Sequence, residues 1–174
     1  MDRANVKLKV RKLIKANRGI KLDIGAGENR QPGFLTMDIR PLPNIDIVWD
    51  IQKFPYPIPD NSCHKILMSH IWEHIEPKYR IDMVNELWRI MKHDGELWLS
   101  CPYYLSFGAY QDPSHYPCPS EATFTYFDPN YPLWTVYKPR PWKLVRNDYQ
   151  AAGSLEIIMT AIKKVKLGKD HKAK

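Results

Sequence analysis

Two short apolar runs near the start of the chain flank a glycine-containing turn, and this arrangement restricts the folds open to the sequence. The first run, 20–24, leads directly into Gly25 and Gly27, and the second, 34–38, ends at an acidic residue. Short apolar runs bounded by glycine and proline are typical of buried strands. In open α/β sheets a ligand binds at the carboxyl ends of such strands. The stretch therefore predicts two strands with a nucleotide-like ligand at the turn between them.

Alternating strand and helix patterns continue along the chain. Apolar residues at helical spacing predict helices at 4–17 and 78–92, and further strands are predicted at 45–49, 65–69, 96–101, 133–148 and 154–164. The last two strands are expected to form an antiparallel pair at one sheet edge. This order predicts an α/β fold with a Rossmann-like, doubly wound, mostly parallel sheet and an antiparallel edge strand. The 174 residues suffice for a single domain, 1–174, and not for two ordinary ones.

The basic residues are concentrated at the two ends of the chain. Residues 1–21 hold eight Lys or Arg against one Asp, and residues 163–174 hold six Lys against one Asp. We predict a basic N-terminal helix at 1–18 and a basic tail at 165–174. Such ends can bind an acidic partner, including nucleic acid, or act as solvated segments. The tail has no aromatic residue for base stacking, which favours the solvated interpretation.

Cysteine usage and hydropathy limit the possible locations of the protein. The three cysteines, Cys63, Cys101 and Cys118, are far apart in sequence and odd in number, which argues against a disulfide framework. No apolar run approaches the roughly 20 residues that a membrane span needs. The N-terminal stretch lacks the apolar core of a secretion signal. We therefore predict a cytoplasmic protein without a membrane span.

Dinucleotide and phosphate-loop motifs both fail at the glycine turn. The fingerprint G-x-G-x-x-G requires a third glycine where this chain has Arg30. It also requires a full helix before the acidic residue, and the short segment between Gly25 and Asp38, with a Pro-Gly pair in its middle, leaves no room for one. No Gly-Lys-Ser/Thr follows, so a phosphate loop is excluded. A nicotinamide-dependent oxidoreductase remains a weaker alternative.

Four segments, in order, resemble the class I S-adenosylmethionine-dependent methyltransferases. They are "LDIGAG", "GFLTMDI", "VWDIQKFPYPIPDNSCHKILMSHIWEHI" and "LWRIMKHDGELWLSCPYY", and together they cover roughly half of the chain. The resemblance implies a methyltransferase that uses S-adenosyl-L-methionine as its cofactor. It also implies the following cofactor-binding residues: Asp23, Gly25, Ala26, Gly27, Asp38, Ile39, Asp50, Ile51, Ser69 and His70.

The resemblance also implies a role for several of these residues. Gly25 and Gly27 would border the methionine part of the cofactor, and Asp38 would hold the ribose. Asp50 and Ile51 would flank the adenine, while Ser69 and His70 would close the site from the fourth strand. Two features depart from the family pattern. The third small residue of the glycine motif is Asn29 here, and the crossover between the first two predicted strands is unusually short.

The long segment 102–131, rich in aromatic, proline and small polar residues, is predicted to be a substrate or lid loop. Its "QDPSH" sequence contains the candidate catalytic residues, His115 as general base and Asp112 as its orienting partner. A purely structural histidine is the alternative. Three tyrosines of the loop, Tyr103, Tyr104 and Tyr110, are candidates for the wall of an acceptor pocket, or they simply pack the loop.

No metal site is predicted from the sequence. "HIWEH" spaces His70 and His74 as in H-E-x-x-H, but its glutamate, Glu73, stands at a different position, and no third ligand is evident. The short C-terminal half predicts a small molecule or sugar as the acceptor. The alternatives are a nucleic-acid methyltransferase and a non-catalytic Rossmann-like binding module with basic ends.

Overall fold

The computed structural model describes residues 19–163, together with Asn5, Leu8, 10–12 and Ile14. These six N-terminal residues are all helical, in agreement with the predicted helix at 4–17, and Val10 is fully buried in the core. The remainder of 1–18 and the predicted tail at 165–174 lie outside the described residues. In the described part of the chain no helix is long and apolar enough to cross a membrane.

A seven-stranded mixed sheet forms the centre of the described structure. Its strands are β1 Ile20–Ile24, β2 Leu35–Asp38, β3 Ile47–Val48, β4 Cys63–Ser69, β5 Met91–Pro102, β6 Trp142–Tyr149 and β7 Ser154–Ala161. The order across the sheet is β3-β2-β1-β4-β5-β7-β6. The first five strands pair in parallel, whereas β7 is antiparallel to both β5 and β6. The predicted single-domain α/β fold with an antiparallel sheet edge is confirmed.

One long helix packs against this sheet. It is α1, Pro77–Ile90, and two short helices follow it, α2 Glu121–Thr125 and α3 Trp134–Tyr137. A proline in the first turn costs α1 nothing, because its missing N–H would have no partner there. The helix buries Met83, Val84, Leu87 and Ile90 on one face. These apolar residues recur at helical spacing and join the single core cluster with the inward side chains of the strands.

The structure corrects the bounds of several predicted elements; β5, predicted from 96, begins at Met91, and β7, predicted to 164, ends at Ala161. Helix α1 ends at Ile90 and β5 begins at the next residue, so the helix predicted to 92 is too long. The strand predicted at 133–148 is wrong in its first part, which forms α3. Pro139 and Pro141 follow α3 and lack the N–H that a ladder needs, so β6 begins only at Trp142. The segment 102–131, predicted as loop, also contains α2.

The crossover from β1 to β2 contains no helix in the structure, as its length predicts. The strand order reverses between β1 and β4, which are neighbours although β2 and β3 separate them in sequence. At such a switch point the connections leave in opposite directions and open a crevice at the carboxyl ends of the strands. The glycine turn after β1 and the residues after β4 meet at this crevice.

Candidate active site

A cleft of about 730 Å³ opens at the carboxyl ends of β1, β2 and β4. This volume lies within the range of typical small-molecule sites. All ten residues that the sequence predicts to bind a cofactor line the cleft: Asp23, Gly25, Ala26, Gly27, Asp38, Ile39, Asp50, Ile51, Ser69 and His70. The fold therefore brings four segments that are separate in the sequence to one concave surface.

The glycine turn approaches the cleft with its backbone alone. Gly25 and Gly27 have φ values of 70° and 57°, in the left-handed region that side chains disfavour. The N–H of Gly25 donates to the carbonyl of Met37 at 2.7 Å, which fastens the turn to β2. A Cβ at Gly25 would lie 1.9 Å from Cδ1 of Ile71, which itself lines the cleft. A side chain at this position would therefore require Ile71 or the turn itself to move.

The carboxylate of Asp38 holds the glycine turn from the end of β2. Its Oδ2 accepts a hydrogen bond from the N–H of Gly27 at 3.0 Å, and its Oδ1 accepts one from the N–H of Arg40 at 2.9 Å. Burial opposes ionisation, but the hydrogen bonds and the positive charge of Arg40 outweigh it and lower the pKa of Asp38. Asp38 therefore remains a charged acceptor on the cleft wall.

Asp23 brings a second carboxylate to the cleft, in a different electrostatic environment. It is the penultimate residue of β1, it is 5% exposed, and burial raises its pKa to about 6. A carboxylate that loses hydration in this way gains from a cationic ligand group, because the ligand's charge replaces the lost hydration. The two cleft carboxylates thus differ. Hydrogen-bond donors outweigh the effect of burial on the pKa of Asp38, whereas burial determines the pKa shift of Asp23.

The raised pKa of Asp23 predicts a pH-dependent stability. The folded-state pKa lies above the ordinary value of 3.8, so Asp23 costs stability as pH rises from about 4 through 6. Two pKa units correspond to about 3 kcal/mol above pH 7. Asp23→Asn should remove this cost and stabilise the ligand-free protein at pH 8 by about 2 kcal/mol more than at pH 4.

Urea unfolding of both proteins at pH 4 and pH 8 measures this difference. Asp82→Asn on the exposed face of α1 is the matched control, because it removes the same charge without burial. A stability difference between Asp23→Asn and the unaltered protein that stays constant with pH would contradict the assignment.

Three histidines and a glutamate lie at one end of the cleft, in the segment after β4 and in the 102–131 loop. His70, at a left-handed φ of 54°, places its Nδ1 3.2 Å from Oε1 of the buried Glu73. This hydrogen bond raises the pKa of His70. His74 lines the cleft, and the ring of His115 packs edge-on against it with 4.8 Å between centroids. His115 therefore lies one ring away from the cleft wall.

The predicted pairing of His115 with Asp112 is loose in the structure. Nε2 of His115 is 3.9 Å from Oδ2 of Asp112, beyond hydrogen-bonding distance. The other oxygen of Asp112 accepts hydrogen bonds from the N–H and the hydroxyl of Ser114. The His115 side chain is only 7% exposed. Of the two histidines whose rings pack together, His74 and His115, only His74 lines the cleft.

An aromatic surface follows the carboxyl end of β5. The ring of Tyr103 packs against Tyr104 and Tyr149, with centroids 4.8 and 4.7 Å apart. Phe107 is 82% exposed and Tyr110 is 75% exposed. Because β4 and β5 are parallel and their carboxyl ends are neighbours, this surface lies at the same carboxyl edge of the sheet as the cleft. It is available to an acceptor, although these tyrosines do not line the cleft itself.

Sequence reasoning missed several residues of the cleft wall, which include Met37, Arg40, Trp49, Gln52, Ile71, His74 and Ile75. Each lies within a few residues of a predicted member, so their proximity in sequence was an available signal. The contact between His74 and His115 had no such signal, because a long stretch of chain separates them and only the folded loop brings them together.

No protein-family model matches the sequence, and no curated protein sequence matches it. Solved structures do match. A S-adenosylmethionine-dependent methyltransferase from Archaeoglobus fulgidus is 17% identical, covers 91% of this chain and 94% of its own, and has a TM-score of 0.59. A 16S rRNA (adenine(1408)-N(1))-methyltransferase variant from Catenulisporales acidiphilia is 12% identical, with 94% of each chain covered and a TM-score of 0.56.

A third similar structure contains ligands. The 1,6-didemethyltoxoflavin-N1-methyltransferase from Burkholderia thailandensis, with bound 1,6-didemethyltoxoflavin and S-adenosylhomocysteine, is 13% identical. It matches 93% of this chain and 80% of its own, with a TM-score of 0.59. These similarities, together with the strand order, show that the described chain has the class I methyltransferase fold.

Proposed function

We propose that this chain, which has the class I methyltransferase fold, is an enzyme that transfers a methyl group from S-adenosylmethionine to an acceptor. The observation that supports the proposal most strongly is the cleft at the switch point, where all ten predicted cofactor residues lie together. Fold alone does not establish a function, because one fold serves many. The site-level argument is a glycine turn at left-handed φ, where a side chain would collide with Ile71, followed by a buried carboxylate.

Each group of cleft residues is proposed to contact a different part of the cofactor. Gly25 and Gly27 would border the methionine part, and the charged Asp38 would accept hydrogen bonds from the ribose hydroxyls. Asp50 and Ile51 would flank the adenine at the far end of the cleft. Asp23, whose burial disfavours its own charge, suits the positively charged amino group of the methionine.

The protein's chemical tasks are alignment, exclusion of water and removal of a proton. The cofactor supplies a methyl group that its sulfonium already activates. The acceptor atom must lie in line with that methyl, within a dry site, and cleft walls such as Ile71 and Ile75 supply apolar surface there. If the acceptor atom is a hydroxyl oxygen, its proton must pass to a base, for which the candidates are His115 with Asp112.

The proposed acceptor is a small molecule or sugar. The long loop after β5 offers exposed aromatic surface, with Phe107 and Tyr110 as its most exposed rings. Such rings suit a planar or sugar-like acceptor. They also suit a nucleobase, and similar structures include an rRNA methyltransferase as well as a small-molecule one. A nucleic-acid acceptor is therefore the second candidate, and retention on nucleic acid that falls steeply with salt would favour it.

Calorimetric titration of the full chain with S-adenosylmethionine, S-adenosylhomocysteine and NAD tests the cofactor. We expect micromolar binding of the first two, about −8 kcal/mol, and none of NAD. Binding of NAD alone would contradict the proposal in favour of an oxidoreductase. The absence of binding to all three ligands would favour a non-catalytic binding module.

His115→Ala is expected to reduce turnover while leaving cofactor affinity unchanged. The side chain lies outside the cleft lining, so its loss removes no cofactor contact, whereas general-base catalysis typically contributes about 100-fold or more. The two measurements are turnover, with an acceptor on which the unaltered protein is active, and calorimetric cofactor affinity. His64→Ala, at an exposed position outside the cleft, is the matched control. Undiminished turnover in His115→Ala would remove this residue from the mechanism.

A further inference from the structure

Glu73, His74 and His115 each offer a metal-ligating atom within one small volume beside the cleft. These three atoms all lie within 4.8 Å of one another. Glu73 and His74 belong to the short turn Trp72–His74 after β4, and His115 comes from the loop after β5. The backbone ties the two segments together, because the N–H of Tyr116 donates to the carbonyl of Glu73 at 2.8 Å. The cluster is thus part of the ordered structure.

Two of the three side chains are deeply buried and carry an unpartnered polar atom. The Glu73 side chain is 1% exposed, and its Oε2 has no hydrogen-bond partner in the described structure, while Oε1 contacts His70. The His115 side chain is 7% exposed, and its Nδ1 also lacks a partner there. A buried carboxylate oxygen without a hydrogen-bond donor is energetically unfavourable unless a cation compensates its charge.

We propose that Glu73, His74 and His115 bind a divalent transition-metal ion of the zinc class. Two imidazoles and one carboxylate are the ligand set of a catalytic zinc site, which leaves a fourth position open. Ligands at about 2.1 Å from a tetrahedral metal lie roughly 3.4 Å apart. Drawing atoms that already lie within 4.8 Å into this geometry requires side-chain movements of only about an ångström.

The surroundings of each ligand support this assignment. A metal-bound histidine commonly directs its second ring nitrogen toward a carboxylate. Nδ1 of His115 has no hydrogen-bond partner in the described structure and is therefore available to the metal, while Nε2 faces Asp112 at 3.9 Å from its Oδ2, beyond hydrogen-bonding distance. His70 occupies Oε1 of Glu73 and leaves Oε2 free in the same way. A metal at "HIWEH" was not predicted because no third ligand was evident in the sequence, and the structure brings that ligand, His115, from a distant loop.

The position of the site beside the cleft suggests what the metal does. His74 lines the cleft, so a metal ion held by the three ligands would lie beside the space assigned to the cofactor and acceptor, and its role there rests on the proposed function. A metal there binds and orients an oxygen or nitrogen atom of the acceptor. With the metal bound, His115 is a ligand and no longer the candidate general base, and Asp112 lies near a metal ligand rather than near a base. The site restricts the acceptor to molecules with a metal-binding donor atom.

The test is titration of Zn²⁺ and Co²⁺ into the full chain after removal of metal by a chelator and dialysis. We expect one ion per chain with micromolar or tighter affinity, the visible absorption of tetrahedral Co²⁺, and a higher Tm with Zn²⁺. Glu73→Gln, His74→Ala and His115→Ala should each weaken Zn²⁺ binding by about 100-fold. His64→Ala should bind as the unaltered protein does.

Two outcomes would overturn the proposal. One is the absence of Zn²⁺ or Co²⁺ binding by folded protein, and the other is equal binding by the three ligand variants and the unaltered chain. Circular dichroism of each variant establishes that it is folded, and Glu73→Gln preserves the shape of the most buried ligand. S-adenosylhomocysteine affinity is measured on the same samples. Its retention without metal binding would reject the metal site and leave the proposed methyltransferase function standing.

Discussion

Gly25→Ala is expected to weaken the binding of S-adenosylmethionine by about 100-fold or more. The new Cβ would lie 1.9 Å from Cδ1 and 2.4 Å from Cγ1 of Ile71, so either the turn or Ile71 must move. A side chain at φ 70° also costs about 1–2 kcal/mol, and overpacking costs a further 1–3 kcal/mol. The ligand-free protein can relax the turn into the empty cleft, whereas a bound cofactor requires the native backbone. The expected loss of affinity is therefore about 100-fold or more.

Gly33→Ala is the matched control for this prediction. Gly33 has a similar φ of 78°, but a Cβ there would meet no atom within 4 Å, and the residue lies outside the cleft lining. This variant should lose about 1–2 kcal/mol of stability and keep its cofactor affinity. Calorimetry measures the cofactor affinity of both variants, and circular dichroism establishes that they are folded. Because only Gly25→Ala creates a contact with Ile71, the comparison separates the effect of that contact from the effect of backbone strain. Equal affinities for Gly25→Ala and the unaltered protein would show that the cofactor does not approach this turn.

Regular elements were predicted well wherever one local pattern determined them. β1 was predicted from its apolar run and α1 from its helical periodicity, although the predicted end of α1 was two residues too late, and the parallel order followed from the alternation of strands and helices. The segment 133–148 failed because its apolar and aromatic residues suit either a strand or a helix, and no single pattern decides between them. There the two prolines before Trp142 delay the ladder, and a left-handed Lys138 ends the short helix.

The candidate site was predictable to the extent that it follows from strand ends. Residues such as Gly25, Asp38 and Ser69 each end or follow a predicted strand, and parallel strands bring their carboxyl ends together. The neighbours of His115 were not predictable in this way, because an irregular loop sets its position. The sequence therefore paired His115 with its near neighbour Asp112, while the folded loop also places it against His74.

Asp38→Ala is expected to weaken S-adenosylhomocysteine binding by about 1.5–3 kcal/mol, roughly tenfold to a hundredfold or more. The variant would lose a charged acceptor for the ribose hydroxyls. It would also lose the hydrogen bonds that Asp38 accepts from the N–H groups of Gly27 and Arg40. Asp46→Asn is the control, because Asp46 likewise accepts from a backbone N–H, that of Thr36, but lies outside the cleft lining. Unchanged affinity in a folded Asp38→Ala protein would remove the ribose assignment.

The two contributions of Asp38 can be separated with a ligand that lacks the ribose hydroxyls. If the carboxylate binds those hydroxyls, a dideoxyribose analogue should lose affinity for the unaltered protein, and Asp38→Ala should then cost little more. If the carboxylate only fastens the glycine turn, the substitution should weaken both ligands by the same factor. The coupling energy between substitution and ligand change distinguishes these cases, because independent effects add and shared ones do not. A coupling energy above about 1 kcal/mol would show that Asp38 binds the ribose hydroxyls. A coupling energy near zero would mean that Asp38 acts only by accepting the hydrogen bonds from Gly27 and Arg40.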